Sequence, residues 1–393
     1  MFTLPSRAPL THINDVMRDF PHGETSPGLP YTLEGVKHKR DVDPYRIKFF
    51  VHKMKYGLIS NCRTPCTAAS RTTVSKAEKF RLIWVYPCHM TMAEGIFAQG
   101  LINRYKAFRT SYAIWCQYAK GHMKYLASFK TTKTQKWFNV DWSRFDANVP
   151  AWLIRDAFDI LRDQIDFSRY RDYGTPTDPD TIPRLWNRIV HYFINTPMKL
   201  PDGRIRVKAK GVPSGSYFTN LIDTIVSAIV ARYIFRVMDT KFMTLSSWFM
   251  GDDACMLTQS GIDTKRFATL AKTCFGFELN TSKSEVSDTL SFLGYRSTAR
   301  GVPIASFEKL LAQLLLPSGK DQCLGDFIVR ARALQLSCFG VGCMKFTRMV
   351  DDVLDTLPYE AGRLHWRDEC TAKLEFFGLG HWPPLNEVMG IVA

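Results

Sequence analysis

The chemistry this chain can do is concentrated in its carboxylates. Gly251-Asp252-Asp253 stands between two apolar runs, in "WFMGDDACML" at residues 248–257. Adjacent carboxylates repel, and each raises the pKa of the other unless positive charge lies close. By itself a Gly-Asp-Asp turn is an ordinary solvated hairpin tip. A third acid, Asp141, closes the strand-like run "KWFNVD" at 136–141. If the two elements pair, three carboxylates converge, and such a cluster needs cations. Two Mg²⁺ ions about 3.5–4 Å apart, with Mn²⁺ as the alternative, would neutralise it and clamp the attacking and leaving oxygens of a phosphoryl displacement.

A triphosphate would need further positive charge. Lys76, Lys79 and Arg81 stand close together in "KAEKFR". On a strand Lys79 and Arg81 share a face, suited either to phosphates and departing pyrophosphate or to plain solvation. The stretch "GVPSGS" at 211–216 allows close backbone approach to a nucleic acid, or else Ser214 or Ser216 caps the following helix. Lysine and arginine exceed the acids by 52 to 37, a net +15 spread along the chain. That balance favours a polyanionic partner such as nucleic acid over a basic surface that merely aids solubility. The ten cysteines form neither a disulfide framework nor a zinc quartet, and reduced thiols are expected. No signal-peptide core opens the sequence, and "IVSAIVARYIF" is interrupted by Ser227 and Arg232, so no membrane span is expected.

These residues must be positioned by elements of both kinds. Residues 136–141 read as a buried strand, and a helix from Pro150 is expected to turn Leu153, Ala157, Ile160 and Leu161 inward. Residues 88–130 read as helix and 171–183 as a loop. "KLPDGRIRVKAKG" carries the Asp-Gly of a hairpin, a long helix follows "GVPSGS", and "TKRFATLAKTCF" is helical. "SFLGYRSTARGVPIAS" reads as a second hairpin, and the pattern is helical after about 305. Interleaved strands and helices around a central hairpin imply an α+β fold, with an antiparallel sheet flanked by helices.

Taken in order, these stretches resemble the motifs of viral RNA-dependent RNA polymerases. "TSPGLPY" (25–31) resembles motif G, "KAEKFR" (76–81) motif F and "DWSRFD" (141–146) motif A. "GVPSGSYFTN" (211–220) resembles motif B, "GDD" (251–253) motif C, "LNTSKS" (279–284) motif D and "SFLGY" (291–295) motif E. The manner of motif B and the compact length are most similar to the partitivirus- and picobirnavirus-like polymerases of double-stranded RNA viruses.

The resemblance implies a right hand, with fingers at 1–135 and 150–205, palm at 136–149 and 206–300, and a helical thumb at 301–393. It implies Asp141, Asp252 and Asp253 as catalytic metal ligands, and Lys283 as the motif D lysine that protonates pyrophosphate. Lys76, Lys79, Arg81, Asp146 and Thr219 would meet the NTP. Thr25, Ser26, Gly28, Ser214 and Gly215 would meet RNA. Motif B departs from the picornavirus-like pattern, in which an Asn lies four residues after the Thr. Here that offset from Thr219 falls on Asp223, while Asn220 follows directly, so either could complete a 2′-hydroxyl network with Asp146. The implied partners are template and nascent RNA, NTPs and a viral capsid protein, in the host cytoplasm or inside the virion. A reverse transcriptase would share the paired acids but usually carries an aromatic residue at the place of Asp146. A non-catalytic RNA-binding protein would explain the charge but not the acids.

Overall fold

A computed structural model describes residues 1–72, 80–317, 321–339 and 341–357. Its centre is a four-stranded antiparallel sheet made of β1 (Lys136–Val140), β2 (Ser247–Met250), β3 (Asp253–Thr258) and β4 (Glu285–Ser287), in the order β4-β1-β3-β2. The expected pairing of the two acid-bearing elements is therefore present.

β1 and β3 are apolar almost without alternation because both faces of the sheet are covered. Phe138, Val140, Ala254, Met256 and Phe249 face one core. Trp137, Cys255, Leu257 and Trp248 face a second, completed by Trp115, Tyr118, Met123 and Leu126. On the first face lie α2 (Thr219–Val237) and α3 (Thr264–Phe275). The middle of α2, Leu221 to Ala228, is buried all round, which is why its sequence shows little helical amphipathicity. α3 is capped by Asp263, whose side chain accepts from the Lys265 and Arg266 amides, and it ends at Gly276 in the left-handed region.

A second four-stranded sheet runs Phe80–Val85, Cys66–Thr72, Pro197–Lys199, Ile205–Val207, the last two forming the expected Asp-Gly hairpin. Helices Phe307–Leu315, Leu324–Leu336 and Met344–Asp355 enclose a separate small core of Leu310, Leu314, Ala331, Phe346 and Val350.

Some local expectations shift. The helical reading of 88–130 holds for α1 (Cys88–Ala107) and for the short helix His122–Ala127, but not between them. There the backbone at Ser111 and Tyr112 joins the sheet edge, with Phe249 N donating to Ser111 O at 2.9 Å. Unpaired groups of an edge strand outweigh local propensity. The helix after Pro150 spans Ala151–Arg162, and its fully buried stripe includes Ile154 and Phe158 while Ile160 is only partly covered. "SFLGYRSTARGVPIAS" makes three short strands rather than two. The loop expected at 171–183 is shortened by a helix that begins at Thr181. Among the described residues no helix is long and apolar enough to cross a membrane.

Phe138 is fully buried and meets Phe267 of α3 edge to face at 4.9 Å. Phe138→Ala is expected to destabilise the chain by about 3–5 kcal/mol, the range for emptying a packed aromatic site. A denaturation midpoint shifted by well under this would show that the core relaxes around the gap.

Candidate active site

The β2–β3 loop is the two residues Gly251 and Asp252, closed by the pair Met250 and Asp253. Gly251 has φ +65, a conformation that glycine adopts without side-chain strain. α2 holds the loop: Gly251 N donates to Thr224 Oγ1 at 2.8 Å, and Thr224 Oγ1 donates to the Asn220 carbonyl at 2.6 Å. Register brings in the third acid. Val140 lies opposite Ala254, so one residue further along, Asp141 emerges beside Asp253.

Residues 280–284 wrap Asp141. Asn280 Nδ2 donates to Asp141 Oδ1 at 2.9 Å, the Asn280 amide donates to the Asp141 carbonyl at 2.9 Å, and the Asp141 amide donates to Ser284 Oγ at 3.0 Å. Lys283 Nζ lies 3.8 Å from Asp141 Oδ2. Asp252 is exposed, while Asp253 is partly buried. Burial, then the charges of Asp252 and Asp141, push the Asp253 carboxyl up to about 6, against the pull of Lys309 and Lys283. Among the described residues, Lys309 and Lys283 are thus positive neighbours of Asp253. Lys309 has no local sequence signal. Carboxylate oxygens suit Mg²⁺ or Mn²⁺, and the negative charge that raises Asp253 is what a cation would relieve. Among the described residues no three His, Cys, Asp or Glu side chains stand arranged to hold a metal ion. The set fits in donor type and charge, not as a preformed cage.

The two candidates of motif B have different surroundings. Asn220 Oδ1 accepts from the Tyr112 hydroxyl at 2.8 Å. Asp223 is buried, and its Oδ1 has no hydrogen-bond partner among the described residues. Burial first, then the charges of Asp146 and Asp252, raise the Asp223 carboxyl well above the usual range. Asp146 is exposed, and its carbonyl accepts from Val212 N at 2.7 Å, which ties it to the start of the 211–219 loop. The Thr219 hydroxyl lies within hydrogen-bond reach of two loop carbonyls, Pro213 at 2.7 Å and Ser216 at 2.9 Å.

The close backbone approach that Gly215 permits is to protein. A Cβ there would lie 2.1 Å from the Trp84 carbonyl oxygen. Ser214 Oγ accepts from Trp84 N at 3.1 Å, and a Cβ on Gly28 would lie 2.8 Å from the Tyr86 carbonyl oxygen. Gly28, Ser214 and Gly215 thus converge on the end of the strand Phe80–Val85. Thr25 and Ser26 lie exposed on the preceding loop, with Thr25 Oγ1 accepting from Lys39 Nζ at 2.9 Å. Arg81 stands in the strand opposite Arg71. Lys76 and Lys79 lie outside the described residues.

Neither serine is the helix cap itself. α2 begins after Phe218, whose side chain makes no capping bond. Ser216 Oγ instead donates to Glu94 Oε2 at 2.8 Å, and the same oxygen accepts from Tyr217 N at 2.8 Å. Glu94 is fully buried in α1, and burial pushes its carboxyl up to about 8. The sequence reading passed over it, although it is the sole acid of α1.

A family model described as "Viral RNA-dependent RNA polymerase" matches residues 6–337. The RNA-directed RNA polymerase of Cryptosporidium parvum virus 1 (strain KSU-1) is 28% identical over 265 residues, covering 66% of this chain and 47% of that protein. The RNA-directed RNA polymerase of White clover cryptic virus 1 is 25% identical over 250 residues, covering 54% of this chain and 40% of that protein. The chain thus spans about half the length of these curated relatives or less. The crystal structure of the RNA-dependent RNA polymerase of a human picobirnavirus superimposes with a TM-score of 0.69 at 15% identity, over 98% of this chain and 72% of that one. The shared architecture is the right-hand polymerase fold.

Glu94 gives stability a pH dependence. Its carboxyl sits at about 8 in the fold against an ordinary 4.5, so between these values the folded state holds a proton that the unfolded state has lost. Stability contributed by this group therefore falls as pH rises from 4.5 toward about 8, and is level above that. Glu94→Gln keeps an acceptor for Ser216 and lacks the titration, so its thermal midpoint should gain on the parent's across this window. Parallel curves would mean that Glu94 is ionised in the fold.

Proposed function

Because the chain belongs to the viral RNA-dependent RNA polymerase family, we propose that it catalyses template-directed RNA synthesis. The 3′-hydroxyl of an RNA strand attacks the α-phosphate of an NTP; the new phosphodiester forms as the bond to pyrophosphate breaks. The observation that carries this reading is the meeting of Asp141, Asp252 and Asp253 at the paired ends of β1 and β3, with the Asp253 carboxyl raised by burial and then by its neighbours' charge. Asp141, Asp252 and Asp253 would hold divalent cations, which when bound supply Lewis-acid stabilisation of phosphate oxygens. In this reading the sheet at 136–140 and 247–258 belongs to the palm and the helices beyond 301 to the thumb, a division supported by the separate core of those helices.

The chain's own groups have distinct tasks in this scheme. Asn280 and Ser284 fix the Asp141 carboxylate and backbone through the bonds described above. Lys283, exposed and next to Asp141, is proposed as the donor that protonates departing pyrophosphate. Asp146 and Asp223 are proposed to recognise the 2′-hydroxyl. The unpartnered Asp223 oxygen supports Asp223 over Asn220, whose acceptor is already used by Tyr112.

Extension of a primed RNA template with NTPs and Mg²⁺ tests the acid cluster. Asp141→Ala and Asp252→Ala should abolish it with the thermal midpoint retained, and Asp253→Asn should be milder. Lys283→Leu should slow single-turnover incorporation by about tenfold or more, a floor beneath the roughly 10²–10⁴ that a general acid contributes. Arg at the same position should restore it only in part. Near-normal extension by either alanine variant would sink the assignment.

Sugar selection is a separate measurement. Asp146→Ala and Asp223→Ala should each shrink the preference for NTP over dNTP by about tenfold, as expected for losing one hydrogen bond to the ribose hydroxyl. Asn220→Ala should change the ratio less than either. An unaltered ratio in both aspartate variants would remove them from ribose recognition.

A further inference from the structure

Away from the acid cluster, a cleft of about 560 Å³ opens between the helix Pro44–Lys55 and the segment that follows the strand Ile165–Tyr170. His12, Lys48, His52 and Lys55 line it, and no Asp or Glu does. Lys55 is partly buried; its Nζ donates to the Tyr170 hydroxyl at 2.7 Å and lies 5.3 Å from the centre of that ring. Burial alone pushes the Lys55 ammonium down to about 8, with no carboxylate offsetting it. A cation so placed stands ready for an anion from outside the chain. Aromatic surface accompanies the charge: the His12 ring stacks on exposed Tyr173 at 4.0 Å.

A second cleft of about 440 Å³ adjoins the first and shares Tyr170 and Thr175 with it. Its cations are Arg169 and Arg171, each already paired, with Asp166 at 2.9 Å and with Asp172 at 2.6 Å. Arginines therefore continue past the shared wall beside Asp172, which lines that cleft, and among the described residues the cations without an ion pair lie at the lysine end. A run of cations beside aromatic faces suits a strand with one phosphate per nucleotide, and suits a single mononucleotide less well.

We propose that these adjoining clefts carry the phosphodiester backbone of a single RNA strand, at a site separate from the acid cluster. The choice of RNA among polyanions rests on the polymerase reading; the binding itself does not, because it needs neither NTP nor metal.

The test is equilibrium binding of a short, labelled, mixed-sequence RNA to the full chain across a salt series, without NTPs or divalent ions. Lys48→Met and Lys55→Met should each weaken binding and flatten the log–log salt slope by about 0.7, the value for one single-strand phosphate contact. The double variant should flatten it by roughly twice that. Lys48 is exposed, so its substitution reads out binding even if loss of Lys55 disturbs the fold. Lys265→Met, on the exposed side of α3, controls for general loss of charge. If the double variant matches this control in slope and affinity, the proposal fails. Displacement of RNA by ATP from the parent chain but not from the double variant would make the cleft a mononucleotide site and overturn the strand path. Primer extension on the same variants keeps the two readings apart. Failed extension by the parent chain with intact cleft binding would count against the polymerase reading alone, and unchanged binding in an active double variant would count against the cleft alone.

Discussion

Negative charge gathered at one end of a sheet covered on both faces is the constraint on which the rest of the site depends. Partial burial of Asp253 disfavours its charged form, and two adjacent aspartates on a tight loop and a third on the neighbouring strand add their mutual repulsion. Compensation comes from outside the sheet. Lys283 reaches in from the segment that wraps Asp141, and Lys309 from the helix Phe307–Leu315. Since Lys309 sits on a helix with its own small core, the electrostatics of the acids couple the central sheet to that unit.

The same helix, α2, serves both the acid loop and the glycine-rich loop before it. Thr224 accepts from Gly251, Asn220 meets Tyr112, and Asp223 lies within the field of Asp146 and Asp252. At its start, the 211–219 loop is fastened at two points of different character. Gly215 lies against the Trp84 backbone, where any side chain would clash. Ser216 and Tyr217 are bound by Glu94, a carboxyl that burial pushes up to about 8 against the pull of these hydrogen bonds. Burial of a lone acid is costly unless its oxygens are hydrogen-bonded, so this loop and α1 hold each other in place.

Positive charge is distributed on a different principle. The net +15 is not one patch. At the lysine-lined cleft it meets aromatic surface and lacks a carboxylate, whereas other surface arginines, such as Arg46 with Glu34 and Arg18 with Asp19, are already paired. Exposed ion pairs of this kind contribute little to stability, but they remove cations from the set available to a polyanion.

Much of the site could be read from the sequence alone, because its information is local. The acids and their flanking apolar runs fix a two-residue hairpin loop, a buried β1 and a pairing that meets at their ends. The apolar block after "GVPSGS" fixes α2, and "LNTSKS" contains the Asn280, Lys283 and Ser284 that surround Asp141. Tertiary structure decided what depends on residues distant in the chain. Glu94 and Ser216 are 122 residues apart, and Lys55 and Tyr170 are 115 apart. No spacing or propensity marks such pairs, because burial and hydrogen-bond partners exist only once the elements are packed. The surroundings of Asn220 and Asp223 were of this kind too: one turn of helix presents both, but the Tyr112 hydroxyl meets Asn220, while Asp223 is buried with an oxygen that has no partner among the described residues. So was the break after Ala107, where a strand edge captured backbone that local preference would have kept helical.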